Sequence, residues 1–358
     1  MNKKRLNPGI NKNQVPSSEK GSLNLNDNEN QGSPERENLI IIDSNSVIHR
    51  AYHALPRLTT KKGELVNAVY GFLLVFLKVI REFQPKYIAA CFDFPAPTFR
   101  HRKFKEYKAK RKPAPEELYQ QIPIIKEVLK AFSVPVFEKE GYEADDIIGT
   151  IAHLAPKKQV FPKIKIIILS GDQDSLQLIN PQVRVYALRK GVKDIILYDE
   201  DSVKEKFQGL RAEQLLDYKA LRGDPSDNIP GVTGIGEKTA IDLIEKFSNL
   251  ENLYEEIENK SEKSKEIKPR LKELLLEYKE QAAISKNLAQ IKKDTPINFT
   301  LGKCRFGEFD KKKVIKLLKE LEFYSLIDRL QAPEKIKQKK DKPDSKSKSL
   351  IGKNLKLW

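Results

Sequence analysis

The chain has 358 residues, with 66 lysines and arginines against 50 aspartates and glutamates, so its formal net charge is +16. A hydrophobic content of 39% supports a folded core, while two cysteines and four histidines argue against a disulfide framework and a zinc cluster. No apolar run is long enough to span a bilayer, and the basic N-terminus lacks the apolar stretch of a signal peptide. We therefore expect a cytoplasmic protein with no membrane partner, and the positive charge favours nucleic acid as the partner.

The charge is unevenly distributed along the chain. Residues 1–37 are polar and lack an apolar period, which predicts a disordered leader. Residues 332–358 carry nine lysines against three acids, and we predict a basic flexible tail over 331–358. Between them we expect an α/β part over 38–200 and a helical part over 201–330.

Short apolar segments alternate with helical patterns from residue 38 onwards. Strands are predicted at Asn38–Asp43, Lys86–Asp93, Val134–Glu138 and Lys163–Asp174, and a hairpin at Val183–Leu188 and Lys193–Tyr198. Helices are predicted at Glu64–Phe83, at Pro115–Phe132, from Tyr142 onwards and over most of the chain after Glu200. This alternation predicts an α/β fold, with a mostly parallel sheet covered by helices on both faces.

Carboxylates follow the predicted strands where those strands end, and more acids lie farther along the chain. The candidates are Asp43, Asp93, Glu143, Asp145, Asp146, Asp172, Asp174, Asp224 and Asp227. Each one alone is explained as a turn or helix-cap residue. Sites in such sheets lie outside the carboxyl ends of the strands, so we expect these acids to converge and to need a compensating cation. Oxygen ligands favour Mg²⁺ or Mn²⁺, and two such ions can promote hydrolysis of a phosphodiester.

A basic segment follows the second predicted strand. Arg100–Lys112 holds eight lysines and arginines against one glutamate, with Phe104 and Tyr107 between them. Cations bind phosphates and aromatic rings stack on unpaired bases, whereas a solvated loop is the ordinary explanation of a charge run. The position of the segment after a strand end favours contact with phosphate.

A glycine-rich segment lies in the helical part. Asn228–Phe247 predicts a helix, a tight turn with Gly231, Gly234 and Gly236, and a second helix that includes the small Ala240. Amides at the start of such a second helix can bind phosphate. This helix-hairpin-helix pattern predicts contact with the DNA backbone without reading of its sequence.

Five strings in this order resemble the 5′-nuclease family, which includes the 5′–3′ exonuclease domain of bacterial DNA polymerase I and the flap endonucleases. They are Asp43–Leu55, Phe92–Arg111, Gly141–Ala152, Ser170–Ile179 and Asp217–Ala240. The proofreading and polymerase domains of polymerase I do not follow, so we expect a stand-alone nuclease or a fragment.

The resemblance implies a PIN-like nuclease domain over 38–200 with a helical arch at about 98–131, and a helix-hairpin-helix at about 228–247. It implies two-metal hydrolysis at a 5′ end or 5′ flap, leaving a 5′-phosphate, during replication and repair. All nine acids would hold two Mg²⁺ ions, with Mn²⁺ possible, and backbone carbonyls of the hairpin would hold K⁺.

The resemblance also implies roles for the basic residues. Lys108 would contact the scissile phosphate and, with Arg100 or Arg111, would offset the developing charge. The DNA-binding candidates are Arg50, Tyr52, Arg102, Lys103, Tyr107, Gly231, Gly234, Gly236, Lys238 and Thr239.

We expect a monomer that is associated with the nucleoid. Its expected partner is DNA with 5′ ends, flaps or junctions, including RNA primers on DNA. The last residues, Asn354–Trp358, resemble the short peptide that binds the bacterial sliding clamp, although an accidental apolar end explains them as well. Two other functions remain open. A PIN-type ribonuclease shares the acid-rich core, and a non-catalytic DNA-binding protein shares the basic surface.

Overall fold

A computed structural model of the chain describes residues 37–158 and 164–331. The predicted leader, apart from its last residue, and the predicted tail beyond residue 331 lie outside the described residues. The strands are β1 (Asn38–Asp43), β2 (Tyr87–Cys91), β3 (Val136–Phe137), β4 (Lys165–Ser170), β5 (Val183–Lys190) and β6 (Asp194–Tyr198). The helices are α1 (Ser44–Ala54), α2 (Asn67–Phe83), α3 (Phe99–Lys103), α4 (Glu116–Tyr119), α5 (Gln121–Ala131), α6 (Ala144–Leu154), α7 (Glu200–Lys206), α8 (Leu215–Arg222), α9 (Glu237–Phe247), α10 (Leu250–Glu258), α11 (Glu262–Lys265), α12 (Pro269–Glu277), α13 (Lys279–Ala289), α14 (Lys311–Glu320) and α15 (Tyr324–Gln331). None of these described helices is both long and apolar enough to cross a bilayer.

The strands form one sheet in the order β3-β2-β1-β4-β5-β6. Neighbouring strands are parallel except for β5 and β6, which form the predicted antiparallel hairpin. In the centre, Ile41 of β1 pairs with Ala89 of β2 and with Ile168 of β4. This arrangement confirms the predicted α/β fold and brings the carboxyl ends of β1, β2 and β4 to one edge.

Alternate residues of the strands enter two different cores. Leu39 and Ile41 belong to one core with residues of α6 to α10, whereas Ile40 and Ile42 belong to a second core with residues of α1, α2 and α5. The late helices α14 and α15 return to this second core through Val314 and Leu326. Helices thus cover both faces, which explains why β1 is an uninterrupted apolar run.

The arch is less helical than expected. The predicted helix over Pro115–Phe132 is divided at Gln120 into α4 and α5. Pro123 has no N–H to donate to the carbonyl of Tyr119, so the first helix cannot continue into the second. Residues 104–115 form turns and extended chain rather than helix, since closely spaced lysines repel one another there and two prolines follow.

The prediction of two helices within Asn228–Phe247 is wrong for the first of them. Only α9 lies in that range, and the helix that precedes it is α8. Between the helices, Asp224 and Ile229 form an isolated bridge, and Gly231 has a left-handed φ of +65°. A backbone in this conformation cannot extend a right-handed helix.

Candidate active site

A first cavity of about 700 Å³ opens at the carboxyl edge of the sheet. It is lined by Asp43, Asn45, Ser46, His49, Arg50, His53, Ala54, Asp93, Lys108, Arg111, Glu143, Ala144, Asp145, Gly171, Asp172 and Gly191. Five predicted acids therefore meet at this cavity, since they lie at or just after the ends of β1, β2 and β4 or at the start of α6. The strand order brings them together because β1 lies between β2 and β4.

Backbone N–H groups hold the acids of the first cavity in place. Asp43 caps α1, where its Oδ1 accepts from the Ser46 N–H at 3.1 Å and its Oδ2 accepts from the Ser170 hydroxyl at 2.6 Å. Asp93 Oδ1 accepts from the Ala144 N–H at the start of α6, at 2.7 Å. Helix N-termini favour negative charge, so two helices orient these carboxylates toward the cavity.

Burial, together with the charge of neighbouring acids, raises the pKa of several acids of the first cavity. Burial raises the pKa of Asp43 to about 6, against the hydrogen bonds from Ser170 and Ser46. Burial and the charge of Asp43 hold the pKa of Asp145 well above its usual range. Enclosure by protein also raises the pKa of Asp93, although its side chain is open to solvent in the cavity. These carboxylates need a cation in order to be charged together.

A second cavity, of about 610 Å³, adjoins the first and shares Arg50, Gly171 and Asp172 with it. Asp174 and Asp224 line this cavity, and Lys219 lies between them. The Lys219 ammonium contacts Asp174 and donates to Asp224 Oδ2 at 2.9 Å.

Lys219 affects its two partners differently. Burial acts to raise the pKa of Asp224, but the charge of Lys219 and the hydrogen bonds from Ser226 and Lys219 together outweigh burial and lower that pKa to about 2. At Asp174, burial and the nearby charge of Asp172 together outweigh the charge of Lys219, and the pKa is raised to about 7. Lys219 is not among the predicted site residues, because its position five residues before Asp224 does not indicate which acids it joins.

Asp146 and Arg100 form a buried ion pair away from the walls of both cavities. Two guanidinium nitrogens of Arg100 donate to the Asp146 carboxylate at 2.7 and 2.8 Å. Asp146 also accepts from the N–H groups of Glu143 and Lys292. Arg100 is 2% exposed and Asp146 is not exposed at all. The structure thus does not bring this predicted metal ligand and this predicted phosphate-binding cation to a cavity wall.

The arch is attached to the acid cluster through Tyr107, Lys108 and Arg111. Lys108 Nζ donates to Glu143 Oε1 at 2.8 Å, and the Tyr107 hydroxyl lies 3.1 Å from Glu143 Oε2 and 3.2 Å from Asp227 Oδ2. Arg111 contacts Asp227, which lines neither cavity. Lys108 and Arg111 line the first cavity, whereas Tyr107 is buried.

Lys108 remains charged in this setting. Burial disfavours its ammonium, but Glu143 and Asp227 outweigh burial and raise the pKa of Lys108. Its backbone has a left-handed φ of +55°, and its N–H donates to the Asp227 carbonyl at 2.9 Å. The loop after α8 therefore fixes the position of this cation over the cavity.

The predicted DNA contacts outside the arch turn occupy different settings. Arg50 lies on the wall common to both cavities, where its guanidinium donates to the Gly171 carbonyl at 3.0 Å. Arg102 and Lys103 are exposed. The Tyr52 hydroxyl instead donates to Glu117 at 3.3 Å and so connects α1 to α4.

The hairpin glycines also differ. Gly234 and Gly236 are exposed beside the exposed Lys238 and the half-buried Thr239. Gly231 is buried, and its N–H donates to the Ser285 hydroxyl at 3.0 Å while its carbonyl accepts from Gln281 at 2.7 Å. Gly231 thus connects the hairpin to α13.

Several polar residues of α1 that are not among the predicted site residues also line the first cavity. Asn45, Ser46, His49 and His53 all line it. The available signal was their helical spacing directly after Asp43, which places them on the same side of α1 as Arg50.

Among the described residues, no three histidine, cysteine, aspartate or glutamate side chains stand where they could hold one metal ion together. Lys108, Lys219 and Arg111 already pair with Glu143, Asp174 and Asp227, each within the cluster. Mg²⁺ commonly binds through one or two carboxylates and keeps several waters. The carboxylate oxygens around the two cavities therefore fit a hydrated divalent cation in their chemistry.

An acid-lined edge of a parallel sheet beneath a cationic arch is an arrangement suited to cleavage of phosphodiesters, and the family comparison agrees that the chain is a nuclease. Residues 38–208 match the 5'-3' exonuclease N-terminal resolvase-like domain, and residues 210–312 match the 5'-3' exonuclease C-terminal SAM fold. The chain belongs to the 5'-3' exonuclease family.

Known relatives and solved structures agree with this family. DNA polymerase I of Bacillus caldotenax is 42% identical over 305 residues, which cover 85% of this chain and 33% of that protein. The chain thus spans about a third of the length of this relative. T5 5'-exonuclease with bound zinc is similar with a TM-score of 0.59 at 19% identity, covering 80% of this chain and 99% of that one. The catalytic core of Rad2 in complex with DNA is similar with a TM-score of 0.50 at 17% identity, covering 83% and 92%. These two structures support the fold.

Proposed function

We propose that this nuclease uses divalent metal ions to cleave DNA at 5′ ends and 5′ flaps, leaving a 5′-phosphate, in the processing of replication and repair intermediates. The observation that supports it best is the meeting of five carboxylates from separate elements at the first cavity, directly beside Lys108 and Arg111. Such a combination suits a site that must hold both metal ions and a phosphate.

The residues divide into two groups. Asp43, Asp93, Glu143, Asp145 and Asp172 would hold metal at the first cavity, and Asp174 and Asp224 at the second. When bound, two divalent ions activate water and stabilise the leaving oxygen. Lys108 and Arg111 bind the scissile phosphate and offset its negative charge, while Arg50 orients the strand between the cavities. Asp146 holds Arg100 and so positions the base of the arch.

The related structures support a metal and a DNA substrate, since T5 5'-exonuclease is described with zinc and Rad2 with DNA. The exposed glycines Gly234 and Gly236 leave backbone accessible for a DNA phosphate, and K⁺ at this hairpin stays a prediction. Binding of the sliding clamp through Asn354–Trp358 also stays a prediction, which removal of those residues would test in a pull-down.

A cleavage assay with Mg²⁺ tests the proposal. The wild type is compared with Asp172→Ala on a 5′-flap DNA and on an RNA hairpin of matching sequence, and Asp201→Ala serves as the control because its side chain is 96% exposed on α7. We expect flap cleavage by the wild type and the control, and loss of about 10³-fold in Asp172→Ala, because metal ions contribute several kcal/mol of charge stabilisation.

The outcomes separate the alternatives. Cleavage that persists in EDTA, or in Asp172→Ala, contradicts the metal mechanism. Cleavage of the RNA hairpin alone indicates a PIN-type ribonuclease. Binding of flap DNA by the wild type without any cleavage indicates a non-catalytic DNA-binding protein.

A further inference from the structure

We infer that the second cavity is a phosphate subsite for the DNA strand beyond the scissile bond, with Lys206 and Arg222 as the cations that hold the strand. This inference rests on the proposed function and adds a site to it. The cavity shares the wall formed by Arg50, Gly171 and Asp172 with the first cavity, so a strand can pass from one to the other. Its volume of about 610 Å³ is in the range of ligand-binding pockets.

A hydrogen bond and the ion pairs of Lys219 link the acids of the second cavity to one another. Two other cations that line this cavity, Lys206 and Arg222, therefore remain available for a phosphate. Asp172 accepts from the Asp174 N–H at 2.9 Å, and Lys219 joins Asp174 to Asp224. Lys219 is therefore already neutralised within the acid cluster. Lys206 and Arg222 come from the last residues of α7 and α8, outside this cluster.

Lys206 is an exposed ammonium set against aromatic rings. Its Nζ lies 5.5 Å from the centre of the Tyr198 ring and 5.6 Å from that of Phe207. Within the described part of the chain, no carboxylate forms an ion pair with it. A lysine that is held by rings and has no anionic partner is available for a phosphate.

Among the residues that the structure describes, Arg222 forms only a weak ion pair. Its guanidinium lies 5.9 Å from the centre of the Tyr218 ring, and its Nε lies 3.9 Å from Glu237 Oε2. The side chains of this pair are 37% and 60% exposed, and exposed pairs of this length contribute little stability. A phosphate, which can accept two parallel hydrogen bonds from a guanidinium, can displace Glu237.

The remaining polar residues of the second cavity suit a nucleic-acid backbone. Gln173 brings an exposed amide, the Gln177 amide donates to the Ala289 carbonyl at 3.1 Å, and Phe207 is half-exposed beside them. Neither amides nor a phenyl ring select a sequence in this setting, so we expect binding of phosphate and sugar without base preference.

The test measures how the binding of a 5′-flap DNA to the full chain depends on salt. Fluorescence anisotropy in EDTA gives the binding constant over a range of KCl concentrations for the wild type and for Lys206→Gln/Arg222→Gln. The slope of log K against log salt should become less steep by about 1.4 for a single strand, or about 1.8 for a duplex, because two phosphate contacts are lost.

The control pair is Lys263→Gln/Arg270→Gln. Lys263 likewise lies over a ring, 5.2 Å from the centre of Phe247, and both residues are exposed outside the two cavities. We expect the control slope to match the wild type, and the variant Lys206→Arg/Arg222→Lys to restore it. The restored slope also shows that loss of fold does not cause the change.

Three results would overturn the inference. They are an unchanged slope in Lys206→Gln/Arg222→Gln, an equal change in the control pair, or no restoration by the exchanged cations. Cleavage of the same flap by the wild type with Mg²⁺ is measured in parallel. An unchanged slope beside normal cleavage rejects the subsite alone, whereas failure of the wild type to cleave rejects the proposed function.

Discussion

At the level of residues, the acids of this nuclease are held in two ways. Asp43 and Asp93 accept hydrogen bonds from helix N-termini and face the first cavity. Asp146 is instead neutralised by a buried arginine, and its two oxygens accept four hydrogen bonds. Acids such as Asp43 and Asp93, which face the first cavity, repel one another. Removal of the Asp146 carboxylate instead leaves the buried charge of Arg100 unpaired.

Replacing the carboxylate by an amide should change the free energy of unfolding differently for the two kinds of acid. We expect Asp146→Asn to lower the free energy of unfolding of the metal-free protein by about 3–5 kcal/mol, because Arg100 then lacks its buried partner. The measurement is urea denaturation in EDTA. The control Asp172→Asn should leave the stability unchanged or raise it, since Asp172 lines both cavities among other acids. Equal losses in the two variants would contradict the distinction.

At the level of elements, apolar runs predicted the strands well and missed the interruptions of the helices. The ends of β1 agree with the predicted Asn38–Asp43, because every residue of its hydrophobic run is buried. The division between α4 and α5 depends on one proline, and the absence of helix at 228–236 depends on backbone conformation around Gly231. A hydrophobic period averages over such single positions, so it does not show them.

The hairpin between α8 and α9 should depend on Gly231. A Cβ on this residue would meet the Gly223 nitrogen at 2.2 Å, and its φ is +65°. We expect Gly231→Ala to lower the free energy of unfolding by more than about 2 kcal/mol, because both the clash and the strain oppose a side chain. Thermal or urea denaturation measures the change.

Gly236 provides the matched control in the same segment. A Cβ there meets nothing within 4 Å, and its φ of −90° suits any residue. Gly236 is the N-cap of α9, where alanine is less favourable than glycine, so Gly236→Ala should lower the free energy of unfolding by no more than about 1 kcal/mol. Similar effects of the two substitutions would show that the turn does not require glycine at 231.

At the level of the whole molecule, the net charge of +16 conceals a separation of charge. The acids collect at one edge of the sheet, and cations from the arch and from α8 surround them. Burial, together with the charge of Asp172, keeps the pKa values of Asp43 and Asp174 raised, at about 6 and about 7, and the cations offset this only in part. The metal-free protein is therefore under electrostatic strain near neutral pH.

This strain gives a definite pH dependence. Above a pH of about 4 the unfolded chain loses protons that the folded protein still holds at Asp43 and Asp174, so folding stability falls as the pH rises to about 7. In EDTA, we expect a lower melting temperature at pH 7.5 than at pH 5.5. Addition of Mg²⁺ at pH 7.5 should raise it, by an amount equivalent to about 2.7 kcal/mol when the ion is at 100 times its dissociation constant.

Asp43→Asn should reduce both the fall in melting temperature with rising pH and the rise in melting temperature on addition of Mg²⁺. Asp199 is the control, because it also caps a helix but hydrogen bonds from Ser202 hold its pKa below the usual range. Asp199→Asn should leave the response to Mg²⁺ unchanged. An equal rise in melting temperature with NaCl at the same ionic strength would show that screening, rather than a bound divalent ion, stabilises the protein.

The sequence by itself determined the sheet, the set of acids and the family, because apolar runs, strand-end carboxylates and the order of the five strings are local features of the chain. Only the tertiary structure decided which acids face a cavity and which are neutralised. Arg100 lies 46 residues from Asp146, and Lys219 lies 45 residues from Asp174, so no local pattern indicates these pairs. Strand order and helix packing bring them together, and the resulting burial and charge separate Asp43 at an open cavity from Asp146 in a closed ion pair.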